Sequence, residues 1–247
     1  MIFAAISDIH GNSAALDAVL ADIRRRGIAD IVNLGDALSG PLDPVGTAER
    51  LIELAIPTVS GNHDRTLVDR PPERQGLWEQ WTYPLLGQGH LEWVRGLPPI
   101  LDWHGVFLCH GSPQGDEDNW LHDRDGRGGM RERTLEEVTE RAGDLPQRLL
   151  LSGHTHLARV VRPLDGRVLV NPGPLGCPAY RDPRPPVPTV AMTGMPDARY
   201  AICEEVDRDW RVSLVTVPYD PAGMIARAHE NGAGDWAEAL ATGWSSL

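Results

Sequence analysis

Apolar residues change their spacing several times along the chain, and each change marks an element. Ile2-Phe3-Ala4-Ala5-Ile6 is an unbroken apolar run, the pattern of a strand covered on both faces, and it ends at Ser7-Asp8. Leu16, Val19, Leu20 and Ile23 then recur at helical spacing, with Gly27 placed to stop the helix. Ile31-Val32-Asn33-Leu34 predicts a second strand ending at Gly35-Asp36. Asp43-Pro44 supplies a cap and a first-turn proline for a helix bearing Ala48, Leu51, Ile52 and Ala55, before a third strand at Thr58-Val59-Ser60. This βαβαβ order predicts a largely parallel, buried sheet with right-handed crossovers.

The pattern then loosens. Residues 66–97 carry Trp78, Trp81 and Trp93 among prolines and glycines, and read as a helical insertion in which the tryptophans form local core. Ile100-Leu101-Asp102-Trp103 and Val106-Phe107-Leu108-Cys109 form a hairpin turned at His104-Gly105. A Gly- and Asp-rich loop, 112–130, precedes a helix with Leu135, Val138 and Ala142 on one face, and Leu149-Leu150-Leu151 is another buried strand. Beyond it the period becomes 2, at Arg159–Arg162, Val168–Val170, Tyr200–Cys203 and Val212–Val215, so antiparallel strands dominate the C-terminal half. Residues 178–198 are proline-rich and expected as a surface loop, and Asp220-Pro221 opens a terminal helical segment. The order fits an α/β fold, a two-sheet β-sandwich flanked by helices, as one domain over residues 1–247.

Composition narrows the function classes. The chain has 247 residues, 41% apolar and 23% charged, near globular averages, which excludes a disordered or fibrous protein. No run approaches the roughly 18 to 20 apolar residues of a membrane span, and the N-terminus lacks a signal-peptide pattern, so no membrane association and a cytoplasmic location are expected. The formal charge is −12 and every one of the 23 basic residues is Arg, which argues against stable nucleic-acid binding and against a nuclease on long DNA or RNA. Cys109, Cys177 and Cys203 have no CxxC spacing and are expected as buried free thiols.

The chemistry gathers at strand ends. Asp8 and His10 follow the first strand, Asp36 the second, Asn62-His63-Asp64 the third, His110 the hairpin, and His154-Thr155-His156 the leucine strand. In open α/β sheets that edge is where ligands bind. Carboxylate, imidazole and amide oxygen without thiolate suit Mn²⁺ or Fe, with Zn²⁺, Ni²⁺ or Co²⁺ also able to bind. Seven donors are too many for one catalytic ion that keeps an open position. Two ions about 3.5 to 4 Å apart, sharing a carboxylate, accommodate them.

Asp8-Ile9-His10, Gly35-Asp36, Gly61-Asn62-His63-Asp64, His110-Gly111 and Gly153-His154-Thr155-His156, in this order, resemble the calcineurin-like metallophosphoesterase superfamily, and its small bacterial and archaeal members in particular. The resemblance spans roughly residues 1–172. It implies an αββα layering, with Asp8, His10, Asp36 and His156 holding one divalent ion and Asp36, Asn62, His110 and His154 the other. It further implies hydrolysis of a small-molecule phosphodiester, phosphomonoester or dinucleoside polyphosphate by a hydroxide shared between the ions. His63 would be catalytic, contacting the substrate phosphate with Asn62 or protonating the leaving oxygen, and Asp64 would orient it. The alternatives are a non-enzymatic interaction scaffold and a Ser/Thr-type protein phosphatase, although Ala37-Leu38-Ser39-Gly40 replaces the continuation those phosphatases carry. The loop with Trp120, Arg124 and Arg127 is positioned to cover the metals or to stay solvated. Arg131 and Arg133, with His90, His104, His122 and His229, are expected at surface or turn positions.

Overall fold

A computed structural model describes residues 1–184 and 186–245. The chain opens with β1 (Ile2–Ile6), α1 (Ser13–Arg25), β2 (Ile31–Asn33) and α2 (Pro44–Glu53). Asn12 caps α1 by accepting from Ala15 N, and Asp43 caps α2 by accepting from Gly46 N, ahead of the first-turn Pro44. Three further helices follow, α3 (Asn62–Asp69), α4 (Leu77–Thr82) and α5 (Gln88–Arg95). Next come the hairpin β3 (Ile100–Trp103) and β4 (Val106–Cys109), a small hairpin β5 (His122–Arg124) and β6 (Met130–Glu132), α6 (Leu135–Ala142) and β7 (Leu149–Leu151). The remainder comprises β8 (Arg159–Val161), β9 (Val168–Asn171), β10 (Ala179–Asp182), β11 (Thr189–Met192), β12 (Ala198–Val206), β13 (Asp209–Val217), α7 (Ala222–Glu230) and α8 (Gly234–Thr242).

Two sheets carry the fold. One has the order β13-β12-β1-β2, the other β3-β4-β7-β9-β8. The pleat of β1 explains the layering, because its alternate residues enter different cores. Ala4 and Ile6 pack with Leu16, Val19 and Ile23 of α1, while Phe3 and Ala5 meet Val106, Leu108, Leu149, Leu151, Val168 and Val170 of the second sheet. Phe107, Leu150 and Leu169 on that sheet's far side pack against Val138 and Ala142 of α6. The result is helix, sheet, sheet, helix, as the apolar runs predict. Each fully buried Leu or Val contributes about 1.5–3 kcal/mol relative to exposure. Cys109, Cys177 and Cys203 are buried free thiols. Among the described residues no helix is long and apolar enough to cross a membrane.

Four expectations about the elements change, the first being that the loop expected over 112–130 contains β5 and the start of β6, paired antiparallel. Only β2 lies parallel to β1, whose other neighbour, β12, is antiparallel. Thr58–Ser60 makes a single parallel bridge to Asn33 and no strand, because Ser60 N turns away to donate to Pro98 O at 2.8 Å. Asn62, His63 and Asp64 consequently form the first turn of α3. The segment 178–198 contains the antiparallel pair β10 and β11, with Pro178, Pro183, Pro186, Pro188 and Pro196 all outside the two strands, where no ladder N–H is needed; residue 185 lies outside the described residues.

Candidate metal centre and its cavity

The strand-end loops are held in unusual backbone conformations. Asp8, His10, Asp36, His154 and His156 all have positive φ, between 50° and 68°, a region that non-glycine residues enter at a cost of about 1–3 kcal/mol each. Main-chain hydrogen bonds between loops enforce it. Asp8 N donates to Gly35 O at 3.0 Å, His10 N to Asp36 O at 3.0 Å, Gly153 N to His110 O at 2.7 Å and Gly176 N to Asp8 O at 3.0 Å. Gly61 is required by close approach: a Cβ there would overlap both the Asp36 carboxylate and the Asp36 backbone nitrogen.

Hydrogen bonding fixes which nitrogen each imidazole presents. Nδ1 of His10 donates to Ser39 O at 2.8 Å, Nδ1 of His110 to Leu34 O at 2.7 Å and Nδ1 of His156 to Cys177 O at 2.8 Å. A carbonyl can only accept, so Nδ1 carries the proton and the three Nε2 atoms face inward. Nε2 of His10 and Nε2 of His156 lie 3.2 Å apart, a contact between two lone pairs unless a cation or a proton joins them. Asp8 Oδ2, Asn62 Oδ1 and His110 Nε2 are buried without a hydrogen-bond partner. Such orphaned acceptors, outer nitrogens tied to carbonyls and no thiolate make a donor set that fits hard or borderline divalent ions.

Two groups emerge, each with ligand atoms within 4.8 Å of one another: Asp8, His10 and His156, and Asp36, His110 and His154. Asp36 Oδ2 lies 3.1 Å from His110 Nε2 and 3.8 Å from His10 Nε2, which sets it between the groups. All seven expected donors thus meet at one edge, with Asn62 lining the same cavity as Asp36, His154 and His156. Burial alone would raise the Asp8 carboxyl, but the charge and hydrogen bond of His156 overcome it and hold Asp8 at about 2. Burial pushes His10 down to about 3 and, with the neighbouring His110, His154 down to about 4, so both stand ready as neutral ligands.

His63 sits beside this centre, its ring centroid 5.5 Å from that of His10 and its backbone N donating to Asp36 Oδ1 at 2.9 Å. Asp64 does not orient it. The buried Asp64 carboxylate accepts from Ala37 N at 3.1 Å and Gly61 N at 3.0 Å, which closes the Asp36 loop onto α3. Burial, with Asp36 as a neighbouring like charge, raises Asp64 to about 6. The side chain bonded to His63 Nδ1 is instead Glu79 of α4, and the indole of Trp78 stacks on the imidazole at 4.8 Å and 15°.

A cavity of about 620 Å³ opens over these groups, walled by Trp78, Arg70, Arg124, Tyr180, Arg181 and Arg184 among others. Arg124 reaches it, paired with Asp182, whereas Trp120 is core, packed with Phe107 and donating through Nε1 to Val138 O, and Arg127 is exposed. Trp81 and Trp93 pack into the apolar clusters as expected, but Trp78 lines the site. His122 is buried against Thr155 Oγ1, and Arg133 is buried with Nε donating to Asn119 O, contrary to the surface positions expected for both. His90, His104, His229 and Arg131 are at turns or on the surface. Glu79 and Tyr180 carry no motif; an acidic residue beside a tryptophan in a helical stretch gives no sequence signal of its spatial partner.

The model of the calcineurin-like phosphoesterase superfamily domain matches residues 1–195. An uncharacterized protein of Methanocaldococcus jannaschii, MJ0912, is 28% identical over 258 residues, covering 95% of each chain. The crystal structure of a metallophosphoesterase from Sphaerobacter thermophilus superposes with a TM-score of 0.77 at 26% identity, over 99% of this chain and 100% of that one. The hypothetical protein PH1004 from Pyrococcus horikoshii shares the fold with a TM-score of 0.78 at 18% identity, over 99% of both chains.

Proposed function

The chain belongs to the calcineurin-like phosphoesterase superfamily, a family of hydrolases, and we propose that its strand-edge clusters hold two divalent ions with which it cleaves a small-molecule phosphoester. The observation that carries this reading is the convergence of inward-facing, partnerless donors: Asp8 Oδ2, Asn62 Oδ1 and His110 Nε2, with the 3.2 Å contact between His10 and His156. Asp8, His10, His156 and Asp36 would hold one ion, and Asp36, Asn62, His110 and His154 the other. Such ions supply Lewis acidity that neutralises phosphoryl oxygens and acidifies an attacking water.

The chain's own groups do the rest. Asn62 and His63, both on the first turn of α3, orient the phosphoryl group. His63, with Nδ1 bonded to Glu79, has Nε2 left to donate a proton to the leaving oxygen. The cavity of about 620 Å³ admits a substrate with substantial groups on both sides of the phosphorus, which favours a phosphodiester or a dinucleoside polyphosphate over a small monoester. Mixed carboxylate, amide and imidazole donors favour Mn²⁺ or Fe.

Metal-stripped protein, reloaded in turn with Mn²⁺, Fe²⁺, Ni²⁺ or Zn²⁺, tests the reading on bis-p-nitrophenyl phosphate and p-nitrophenyl phosphate. Metal-dependent turnover is expected, faster on the diester, and His63→Ala is expected to lower it by at least about 10²-fold. A protein that binds no divalent ion would overturn the proposal.

A further inference from the structure

We infer that Glu79 is a positioning residue for His63: it fixes the imidazole so that Nε2 faces the phosphoester, and Trp78 closes the pair from above. The inference rests on the phosphoesterase reading and adds to it a residue outside every motif of the chain.

Glu79 lies on the first turn of α4, and its side chain is only 3% exposed. A buried carboxylate is several kcal/mol unfavourable unless it is paired and hydrogen-bonded. Among the described residues its hydrogen-bond partner is His63 Nδ1. The pairing is therefore the reason a carboxylate is tolerated there. The other acidic side chain near His63 in sequence, Asp64, turns both oxygens to Ala37 N and Gly61 N and not to the imidazole.

The His63 ring is constrained three ways. Its backbone N–H is bound to Asp36 Oδ1, its Nδ1 to Glu79, and one face lies against Trp78. Trp78 is itself wedged by edge contacts with His10 at 5.0 Å, Trp236 of α8 at 4.8 Å and Tyr180 of β10 at 6.4 Å. Segments distant in sequence thus lock one imidazole, and Nε2 is the only ring nitrogen left for substrate. With Nδ1–H held on the carboxylate, the proton on Nε2 can pass to the leaving oxygen as its bond to phosphorus breaks, and solvent returns a proton to Nε2 afterwards.

The test compares wild type, Glu79→Gln, Glu79→Asp, His63→Ala and the double variant E79Q/H63A, each loaded with Mn²⁺. Substrates are p-nitrophenyl and phenyl esters, whose leaving groups differ in their need for a proton. Glu79→Gln is expected to lower kcat by about 10- to 100-fold with KM little changed, and to slow the phenyl ester more than the p-nitrophenyl ester. Glu79→Asp should recover part of that loss. In the His63→Ala background the Gln substitution should cost nothing further, since the two residues act as a unit. Metal content should match wild type throughout, and Glu79→Gln should keep the wild-type melting temperature, whereas His63→Ala, which leaves Glu79 buried and unpaired, should melt lower.

A second readout needs no turnover: in ¹⁵N-histidine-labelled protein, a downfield ring N–H proton is expected that disappears in both Glu79→Gln and His63→Ala. Loss of that proton in His63→Ala but not in Glu79→Gln, or fully additive kinetic effects, would overturn the inference. Wild type inactive on every ester, yet with a Glu79-dependent ring proton, would refute the phosphoesterase reading while supporting the His63–Glu79 pair.

Discussion

The floor and the wall of the cavity are built on opposite principles. On the floor, five of the seven donor residues sit at positive φ, five are buried, with Asn62 and His154 half-buried, and cross-loop main-chain bonds leave them one arrangement. The wall joins α3, the 112–130 loop and the β10–β11 hairpin by side-chain charges. Arg65 bonds Asp116 at 2.6 Å and Glu117 at 3.1 Å, Arg184 meets Glu117 at 3.6 Å and Asp182 at 2.8 Å, and Arg124 pairs with the same Asp182. Partly exposed pairs of this kind contribute about 0–1 kcal/mol each and weaken with salt. On the proposed reading, a strained, over-determined floor would fix the reaction, while a wall of exchangeable ion pairs would leave substrate shape open to adjustment.

Asp36→Asn gives the largest expected effect on this contrast. Removing the charge that lies between both clusters should reduce bound metal below two per chain and activity by at least about 10²-fold, as read by elemental analysis and steady-state kinetics. Two ions and undiminished turnover would refute the role of Asp36 as the shared ligand. Gly61→Ala attacks the floor through the backbone instead. The added methyl must displace Asp36, so a loss of about 1–3 kcal/mol is expected in urea unfolding of metal-free protein, together with weakened metal binding.

His122, behind the His154–His156 loop, tests whether the surroundings of the floor are also poised. Burial, with Arg159 as a nearby like charge, pulls His122 down to about 4 from its ordinary 6.5. Below pH 6.5 the unfolded chain therefore takes up a proton that the folded chain refuses until about pH 4. Stability falls progressively through that window and is unaffected by this group above it. Metal-free His122→Asn should lose less stability than wild type between pH 7 and pH 5, and equal losses would exclude the effect. The smallest change belongs to the wall. Arg184→Ala should leave kcat unchanged and shift KM by less than about tenfold, with unfolding free energy altered by no more than about 1 kcal/mol. A collapse of kcat there would mean that the wall is as constrained as the floor.

This contrast also explains what could be read from the sequence. The floor is local: Asp8 and His10 flank one residue, Asn62, His63 and Asp64 are consecutive, and His154 and His156 share one turn, so residue type and spacing mark them. The sandwich was equally legible, because β1, β4, β7 and β9 are unbroken or alternating apolar runs. The third strand was not, since the bond from Ser60 to Pro98 that ends it joins residues far apart in sequence. Glu79 and Trp78 escaped for the same reason. Their meaning comes from His63 and His10, reached only through the folding of the helical insertion, and Asp64, the nearer acid, was the wrong partner because two backbone amides claim it. The proline-rich segment hid a hairpin because prolines both flank and separate its two strands and leave each only four residues long.

Asparagine is a single-base change from either aspartate or histidine, and it settles into left-handed backbone more readily than both. At Asp8, His10, Asp36, His154 and His156 that change would relax the main chain while exchanging a carboxylate or imidazole for a weaker amide oxygen, and a change to glycine would remove the donor altogether. A lineage no longer selected for this chemistry would therefore be drawn towards such replacements, gaining stability at each, with both sheets intact. The two aspartates and three histidines at these five turns thus stand where the backbone suits them least, a cost that the main-chain bonds between the loops must offset.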